Sequence, residues 1–245
     1  MPASTTETIS VIMPAFNEAR HIGMCLQRVL AQSCVTEIVV IDDASTDGTA
    51  EIVSELMAAN PRIRLERHGR NCGKGAALRT GFAKAQGEIF IVQDADLEYD
   101  PEDYSAALRP LLQNRADVVL GSRFLGGPHR VLYFWHYVGN TVITLLSNCF
   151  TDLNLSDIET GMKLMRRGIA QRIRIEEDRF GVEPEVVAKI AALRARVYEV
   201  PVSYDGRTYA EGKKIGWRDG VRALWCIIKF GVLTRWRRRC GLEPG

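Results

Sequence analysis

Two aspartates stand two residues apart directly after a short apolar run of the sequence. Asp94 and Asp96 follow Ile89–Val92, a run typical of a buried β-strand. Residues i and i+2 of an extended backbone point the same way, so both carboxylates can face one ligand. Two carboxylates can hold Mg²⁺ or Mn²⁺ when phosphate oxygens complete the coordination. An isolated Asp-x-Asp is more often a solvated acidic turn, but its place at a strand end favours a metal site.

Further polar residues stand where a second apolar run, residues 37–41, ends. We expect Asp42 to accept a hydrogen bond from a nucleotide base. A carboxylate accepts from the imide N–H of a base ring and can therefore discriminate among bases. The following residues Asp43, Ser45 and Asp47 suit turn formation and helix capping at least as well as ligand binding.

A glycine-rich segment precedes a predicted helix that begins at Ala76. Gly73 and Gly75 allow close backbone approach, while Lys74 and the helix N-terminus favour an anion. Such helix starts are common, and the spacing of a P-loop is absent. No Gly-x-Gly-x-x-Gly turn follows the first apolar run, which argues against a dinucleotide-binding enzyme.

The elements that position these residues alternate between strand and helix. Short β-branched runs predict strands at residues 9–13, 37–41, 63–66, 88–92 and 118–120. Helical apolar spacing predicts helices at residues 21–31, 50–59, 76–85 and 104–114. Beyond them we expect helix and loop over 128–160, a helix at 183–194, a strand at 197–204 and a helix at 217–236. This order predicts an open α/β sheet with ligands at the carboxyl ends of its strands.

Composition limits the class of protein. A chain of 245 residues with 46% hydrophobic residues favours one domain. A net charge of +2 from 32 basic and 30 acidic residues gives no argument for nucleic acid. The six cysteines lack the paired spacing of a zinc site or dithiol motif, and the polar N-terminus does not resemble a secretory signal, so we expect a cytoplasmic protein. Residues 131–151 are too polar for a membrane span, and no transmembrane helix is expected.

Five motifs in order together resemble the family 2 glycosyltransferases. They are Val-Ile-Met-Pro-Ala-Phe-Asn-Glu at 11–18, Val-Val-Ile-Asp-Asp-Ala-Ser-Thr-Asp-Gly-Thr at 39–49, Asn71 with Gly-Lys-Gly at 73–75, Asp-Ala-Asp at 94–96 and Gly-Ser-Arg at 121–123. Within that family, the chain is similar to the dolichol-phosphate or polyprenyl-phosphate mannosyl- and glucosyltransferases over roughly residues 9–215. The resemblance implies a Rossmann-like nucleotide-diphosphosugar transferase fold of the GT-A type, with a mostly parallel central sheet.

The motifs and the resemblance together assign roles to individual residues. The nucleotide sugar is assigned to Pro14, Phe16, Glu18, Asp42, Asn71, Lys74, Asp94, Lys213 and Lys214. Mn²⁺ or Mg²⁺ is assigned to Asp94, Asp96 and Glu98, and catalysis to Asp96, Arg123 and Arg207. The acceptor is assigned to Arg123 with Arg130 or His136, although packing explains His136 equally well.

The sequence departs from the family pattern at two of these positions. Phe16 stands where relatives often have Tyr, and Glu98 stands where they often have Gln. The segment with Arg207, Lys213 and Lys214 resembles a mobile stretch that closes over the diphosphate.

The implied reaction is inverting, metal-dependent transfer of a hexose from a GDP-mannose or UDP-glucose type of donor. The implied acceptor is a polyprenyl phosphate, dolichyl or undecaprenyl, at a membrane surface. A soluble saccharide acceptor remains an alternative, as does, less favoured, a non-catalytic nucleotide-sugar-binding protein. We expect no nucleic-acid partner, and homo-oligomerisation stays open.

The chain divides into a disordered start at 1–8, a catalytic domain at 9–215, and an amphipathic helix with a basic tail at 216–245. The apolar segments 131–150 and 221–233 suit helices at a membrane interface, the second because arginines follow it at 235 and 237–239. Packing of both segments on the core is an equally good interpretation. Glu183 and Glu185 could approach the sugar or acceptor, but helix capping and surface charge explain them as well.

Overall fold

A central sheet of seven strands carries helices on both faces. The computed structural model describes residues 7–126, 130–131, 133–179, 181–207 and 217–240, and in the last segment the side chains of residues 220–232. The strands are β1 (Ile9–Ala15), β2 (Glu37–Asp42), β3 (Ile63–Arg67), β4 (Ile89–Val92), β5 (Val118–Ser122), β6 (Lys163–Arg166) and β7 (Val197–Pro201). The helices are α1 (Ile22–Ala31), α2 (Thr49–Ala59), α3 (Lys74–Lys84), α4 (Tyr104–Leu112), α5 (Phe134–Thr151), α6 (Arg167–Ala170), α7 (Val182–Ala192) and α8 (Trp217–Cys240).

The sheet order is β3-β2-β1-β4-β6-β5-β7, and its pairing is mostly parallel. The expected α/β architecture is thereby confirmed. Sequence reasoning missed β6, which runs antiparallel between β4 and β5. Its four residues begin with Lys163 and end with Arg166, so the apolar run inside it is too short to predict a strand.

The strands are buried on both faces, as parallel strands between two helical layers should be. Val11 and Met13 of β1 pack in one core cluster with residues of α1, α2 and α4. Ile12, between them, packs in the opposite cluster with residues of α3 and α7. This alternation places the helical layers on either side of the sheet.

The loops after the parallel strands meet at one edge of the sheet. Ala15 pairs with Asp42, so β1 and β2 end level with each other. Three non-glycine residues just after strands adopt left-handed backbone angles, with φ of 54° at Asn17, 60° at Ala44 and 65° at Leu97. Such conformations cost energy and concentrate at functional sites.

Helix α5 exposes several of its large apolar side chains. Its buried residues are Thr144, Ser147 and Thr151, and the hydroxyl of Thr144 accepts a hydrogen bond from the amide of Ile158. Its exposed residues include Phe134, Trp135, Tyr137, Val142, Leu145 and Leu146. Ile143 and Phe150 pack against the core, but core packing does not account for the exposed apolar side chains of this helix.

Helix α8 divides its apolar side chains between the core and the surface. Ala223, Cys226, Ile227 and Phe230 are buried, and the helix packs on α5 and α7. Val221, Trp225, Ile228 and Val232 are exposed. Over the part of the chain that the structure describes, no helix combines the length and the apolar character that crossing a membrane requires.

A buried hydrogen bond beneath the strand-end edge gives the first prediction. The Tyr104 hydroxyl donates to Oε1 of Gln93 at 2.8 Å, in a fully buried setting next to Asp94. Tyr104→Phe should lower the free energy of unfolding by about 1–2 kcal/mol, because the buried amide oxygen loses its donor. Denaturant unfolding measures this value, and an unchanged free energy would show that Gln93 gains another donor.

Candidate functional site

The guanidinium of Arg207 lies among three carboxylates at the sheet edge. Its Nη2 is 2.7 Å from Oδ2 of Asp96, its Nε is 3.0 Å from Oε1 of Glu98, and its Nη1 is 3.5 Å from Glu18. These acids follow β4 and β1, whereas Arg207 follows β7. The structure thus brings together four residues that the sequence analysis assigned to the site.

The negative charge around Asp96 is larger than Arg207 compensates. Burial, followed by the charges of Asp94 and Glu98, raises its pKa to about 7, although Arg207 acts in the opposite direction. An additional cation at this point would therefore stabilise the ionised form.

Lys74 compensates the negative charge of Asp94. Its Nζ lies 2.7 Å from Oδ1 of Asp94 and 2.9 Å from Oε1 of Glu183. Glu183 also pairs with Lys163, which is itself 1% exposed. Burial opposes ionisation of Glu183, but Lys163 and Lys74 outweigh it and lower its pKa. Glu183 therefore fixes the position of Lys74 beside Asp94.

Surface charge does not explain Glu183 or Glu185, because both are buried. The Glu185 carboxylate accepts the backbone amides of Glu176 and Glu177 at 2.6 and 2.8 Å. It also pairs with Lys189 at 2.6 Å. Glu185 thus anchors the loop that precedes α7.

Arg123 lies beyond β5, held by a buried acid. Its Nε and Nη2 donate to the two carboxylate oxygens of Asp157 at 2.6 and 2.7 Å. Asn140 of α5 accepts from the same guanidinium at 3.4 Å. The Tyr204 ring lies 5.1 Å below it. The Arg123 guanidinium therefore connects the strand-end loops with α5.

The segment from Tyr204 to Arg207 crosses the site and is pinned on both sides. The Tyr204 hydroxyl donates to Glu98 at 2.8 Å, and the Asp205 amide donates to the Glu98 carbonyl at 2.9 Å. The Arg130 amide donates to the Tyr204 carbonyl at 2.9 Å, and its guanidinium lies 3.8 Å from Asp205. Arg130 therefore contacts the segment that carries Arg207. His136 is exposed at the start of α5, with its ring 5.3 Å from that of Tyr133.

The glycine-rich turn before α3 makes the expected close approach, but to protein backbone. The Gly75 amide donates to the Asp178 carbonyl at 2.8 Å, and a side chain at Gly75 would overlap the Glu177 carbonyl. The amides of Cys72 and Gly73 donate to the Asp43 carboxylate at 2.9 and 2.7 Å. Asp43 therefore supplies the anion at this turn.

Asp43, His68 and Cys72 place three potential metal ligands within 4.8 Å of one another. The Asp43 carboxylate is 2.7 Å from Nδ1 of His68, whose Nε2 lies 2.9 Å from the Thr80 hydroxyl. Both imidazole nitrogens and both carboxylate oxygens thus have protein partners, so the cluster is a hydrogen-bond network that joins β2 to α3.

The residues assigned to the nucleoside lie around the ends of β1 and β2. Asp42 is fully buried, with Arg67 3.3 Å from one oxygen and the Ser45 amide 3.3 Å from the other. Phe16 is 38% exposed at the same edge, and Pro14 lies in β1. The Asn71 amide group donates to the Asp43 carbonyl at 3.5 Å. A role for these residues toward a base stays a prediction.

The carboxylates of Asp94 and Asp96 fit a hard divalent cation by their chemistry. Their oxygens now face two protein cations, Lys74 and Arg207. Gly161 leaves room for Asp94, because a side chain there would overlap its Oδ2. Among the described residues, Glu98 does not form a three-ligand cluster with the two aspartates within 4.8 Å. Two carboxylates plus phosphate oxygens remain a suitable donor set for Mg²⁺ or Mn²⁺.

Some assignments lie outside the described residues. They are Lys213, Lys214 and the side chains of the arginines at 235 and 237–239. Residues 1–6 of the start predicted to be disordered, 1–8, also lie outside the described residues.

Sequence reasoning missed several residues of the site. Asp157 holds Arg123, Asn140 contacts it, and Lys163 lies beneath Glu183. No short motif joins them, because they come from an irregular loop, a helix and an unpredicted strand. The Thr160-Gly161 pair before β6 was the available signal, since a glycine in that position permits close approach to Asp94.

Comparison with known proteins gives a family for these motifs. A family model described as glycosyl transferase family 2 matches residues 10–174. The low-salt glycan biosynthesis hexosyltransferase Agl6 of Haloferax volcanii is 30% identical over 219 residues, covering 86% of this chain and 52% of that protein. The undecaprenyl-phosphate mannosyltransferase of Micrococcus luteus is 27% identical over 246 residues, covering 96% of this chain and 99% of that protein. The dolichol-phosphate mannosyltransferase of Pyrococcus furiosus is 27% identical over 229 residues, covering 91% and 64% respectively.

The chain thus spans about half of the Haloferax protein and less than two thirds of the Pyrococcus protein. Among solved structures, glucosyl-3-phosphoglycerate synthase from Mycobacterium tuberculosis, in complex with Mn²⁺, uridine diphosphate and glucosyl-3-phosphoglycerate, superposes with a TM-score of 0.72. It is 19% identical, and the match covers 95% of this chain and 86% of that one. This likeness confirms the GT-A type of fold.

The Lys74-Glu183-Lys163 chain gives the second prediction. Glu183→Gln should lower the free energy of unfolding at pH 7 by about 3 kcal/mol, because Lys163 loses its buried counter-charge. The pKa of Glu183 is lowered from its ordinary 4.5, so its contribution is complete above that value and is lost as the pH falls through the lowered pKa. The difference between wild type and variant should therefore shrink in acid.

Denaturant unfolding at several pH values measures this difference. Glu176→Gln is the matched control, since Glu176 pairs with Lys189 and Lys229 while 49% exposed, and should cost less than about 1 kcal/mol. Equal effects of the two substitutions at every pH would contradict the central position of Glu183.

Proposed function

The chain belongs to glycosyl transferase family 2, and on that premise we propose that it transfers a hexose from a nucleotide diphosphate sugar to a polyprenyl phosphate. The observation that carries this proposal is the position of Arg123. Its guanidinium faces the strand-end loops on one side and contacts Asn140 of α5 on the other. Helix α5 also carries an outward apolar face. An acceptor with an anionic head and an apolar tail matches that junction.

The donor diphosphate would bind at Asp94 and Asp96 with Mn²⁺ or Mg²⁺. The metal, when bound, would neutralise the charge that develops on the departing nucleoside diphosphate. Glu98 would remain a partner of Arg207. We also propose that Glu98 contacts the metal directly. Pro14, Phe16, Glu18, Asp42 and Asn71 would frame the nucleoside at the adjoining ends of β1 and β2. A GDP-mannose or UDP-glucose type of donor suits this arrangement.

Arg207 would act on the leaving group. Its guanidinium is 16% exposed and pairs with Asp96, so a diphosphate bound at the aspartates would lie within its reach. A cation positioned before reaction stabilises the charge that forms in the transition state without further reorganisation. Lys213 and Lys214 would add positive charge to the same closing segment.

Arg123 would hold the acceptor phosphate for attack on the anomeric carbon. One in-line displacement inverts that carbon and needs no covalent intermediate. A lipid phosphate is already an anion at neutral pH, so the reaction needs no dedicated base. Arg130 would support the phosphate through the segment that it holds, and His136 would face the acceptor from α5. Positioning and electrostatics then supply most of the rate.

A membrane surface is the proposed place of the reaction. Helices α5 and α8 pack together and expose Trp135, Leu145, Trp225 and Ile228. Arginines follow in the sequence at 235 and 237–239, and basic residues near an anionic leaflet each contribute about 1 kcal/mol. We propose peripheral attachment on the cytoplasmic face, with residues 9–215 as the catalytic domain and 216–245 as the attachment helix and tail.

Two relatives support the acceptor class. The names of the Micrococcus and Pyrococcus proteins give undecaprenyl phosphate and dolichol phosphate as their acceptors and mannose as their sugar. The Micrococcus protein matches this chain over nearly its whole length. A polyprenyl phosphate is therefore the acceptor to test first.

Asp96→Asn tests the donor site. Loss of one charged ligand should reduce turnover at least about 100-fold, equivalent to roughly 3 kcal/mol of transition-state stabilisation. Hexose transfer is measured across a Mn²⁺ titration, with circular dichroism to verify the fold. The control is Glu102→Gln, which removes an exposed carboxylate outside the site. Undiminished turnover in a folded Asp96→Asn protein would exclude the metal assignment.

Substitution of the exposed face of α5 tests the acceptor site. Trp135 and Leu145 are 77% and 62% exposed, so replacing both with Ser should leave the fold and donor binding unchanged. Transfer to polyprenyl phosphate in anionic vesicles should fall about tenfold, as should co-sedimentation, because apolar area that enters the interface is lost.

Met24→Ser is the matched control for that double variant. Met24 is 54% exposed on α1, away from α5 and α8, and its loss should affect neither measurement. Equal vesicle binding by all three proteins would contradict a membrane role for α5. Transfer to a soluble saccharide with none to lipid would favour the alternative acceptor.

A further inference from the structure

Two adjacent side chains near the proposed site contain buried polar atoms without a partner. Oε1 of Glu159 and Oγ1 of Thr160 are shielded from solvent and make no hydrogen bond among the described residues. Among the described residues, no ion pair joins Glu159 to a basic side chain, and the nearby Arg123 and Lys163 pair with Asp157 and Glu183 instead. A buried polar group without a partner is costly, and a bound ligand, water or ion that completes it is one explanation for its presence.

The backbone around these residues is firmly held. The Glu159 amide donates to Asp157 at 3.2 Å, and Asp157 in turn holds Arg123. The Gly161 amide donates to the Tyr99 hydroxyl at 2.8 Å. Missing partners at Glu159 therefore do not reflect a loose loop.

The segment 157–161 connects the two halves of the proposed site. It begins at Asp157, beside Arg123, where the acceptor phosphate is placed. It ends at Gly161, which lies directly against Oδ2 of Asp94, where the donor diphosphate is placed. Glu159 stands between Asp157 and Gly161 in the sequence, and the transferred sugar would lie between the leaving group and the nucleophile that these two residues adjoin.

The charges around Glu159 favour a neutral ligand with hydroxyl groups. Its strongest electrostatic neighbours are Glu183, Arg123, Lys163 and Asp157, and the basic ones already have acidic partners. Burial, followed by the charge of Glu183, raises the pKa of Glu159 to about 7. A phosphate would be repelled by the ionised carboxylate, whereas a ring hydroxyl can donate to it.

We propose that Glu159 and Thr160 bind ring hydroxyls of the donor hexose and thereby select the sugar. The inference rests on the proposed function and deepens it, because it assigns the sugar subsite. Glu159 accepts a hydroxyl hydrogen through Oε1, and Thr160 donates to or accepts from a neighbouring hydroxyl. A site built to hydrogen-bond a hydroxyl discriminates strongly against a sugar that lacks it.

The test compares binding of a nucleotide sugar with binding of its nucleotide alone. Calorimetry with GDP-mannose against GDP, and UDP-glucose against UDP, is performed on wild type and Glu159→Ala with Mn²⁺ present. The variant should bind the preferred nucleotide sugar about tenfold more weakly, a loss of about 1.4 kcal/mol. Its affinity for the nucleoside diphosphate should stay within about twofold, because the diphosphate does not contact Glu159.

Two controls separate recognition from a structural role. Glu7→Ala also removes a carboxylate with one buried, unpartnered oxygen, but Glu7 pairs with Arg166 far from the site, and it should leave both affinities unchanged. Thermal unfolding should show no loss of stability in Glu159→Ala, because the substitution removes Oε1, a buried carboxylate oxygen without a partner. A lower melting temperature with equal losses for sugar and nucleotide would overturn the inference.

Deoxy-sugar donors identify the hydroxyl. One analogue should bind wild type about tenfold more weakly and show no further loss with Glu159→Ala, as a double-mutant cycle requires for a direct contact. Independent losses for every analogue would overturn the inference. If wild type transfers hexose and Glu159→Ala binds the donor equally well, only the sugar subsite is wrong. If wild type binds neither nucleotide sugar, the proposed function fails as well.

Discussion

The compensation of two aspartates by cations from distant segments is the interaction on which the rest of the site depends. Asp94 and Asp96 follow one strand, and they would repel each other at a partly buried edge without Lys74 and Arg207. Lys74 is fixed by Glu183, and Arg207 by Glu98 and Glu18. The same charges are the reason for proposing that a diphosphate binds here with a divalent ion, since the metal and the phosphates together would bring charges of both signs.

This charge balance is linked to the outward apolar face through Arg123. Its partner Asp157 begins the segment that supports Asp94, and its other partner, Asn140, belongs to α5. Helix α5 can expose its apolar residues because its inner face satisfies polar groups with Thr144 and Thr151. A single connected structure thus places a buried arginine beside an exposed apolar helix face, which is the arrangement that the proposed lipid phosphate would require.

The sequence predicted the parallel part of the sheet well, because buried parallel strands are nearly continuous apolar runs. It missed β6, where the buried Lys163 is compensated by Glu183, a partner 20 residues away. The site followed the same division. Strand-end acids were predictable from local pattern, and Glu98, Arg123 and Arg207 from resemblance. Asp157 and Asn140 were not, because their contacts with Arg123 come from an irregular loop and a helix. Periodicity alone did not show whether the apolar stripe of α5 faces the core or the surface, since an amphipathic helix has the same sequence pattern in both cases.

The most direct measurement is the mass of the lipid after reaction. The protein is incubated with Mn²⁺, polyprenyl phosphate in vesicles, and either GDP-mannose or UDP-glucose, and the lipid is extracted for mass spectrometry. We expect the mass of the polyprenyl phosphate to increase by one hexose with one of the two donors, together with release of the matching nucleoside diphosphate. Unmodified lipid while the donor is consumed, with the hexose recovered as free sugar or on a soluble acceptor, would contradict it.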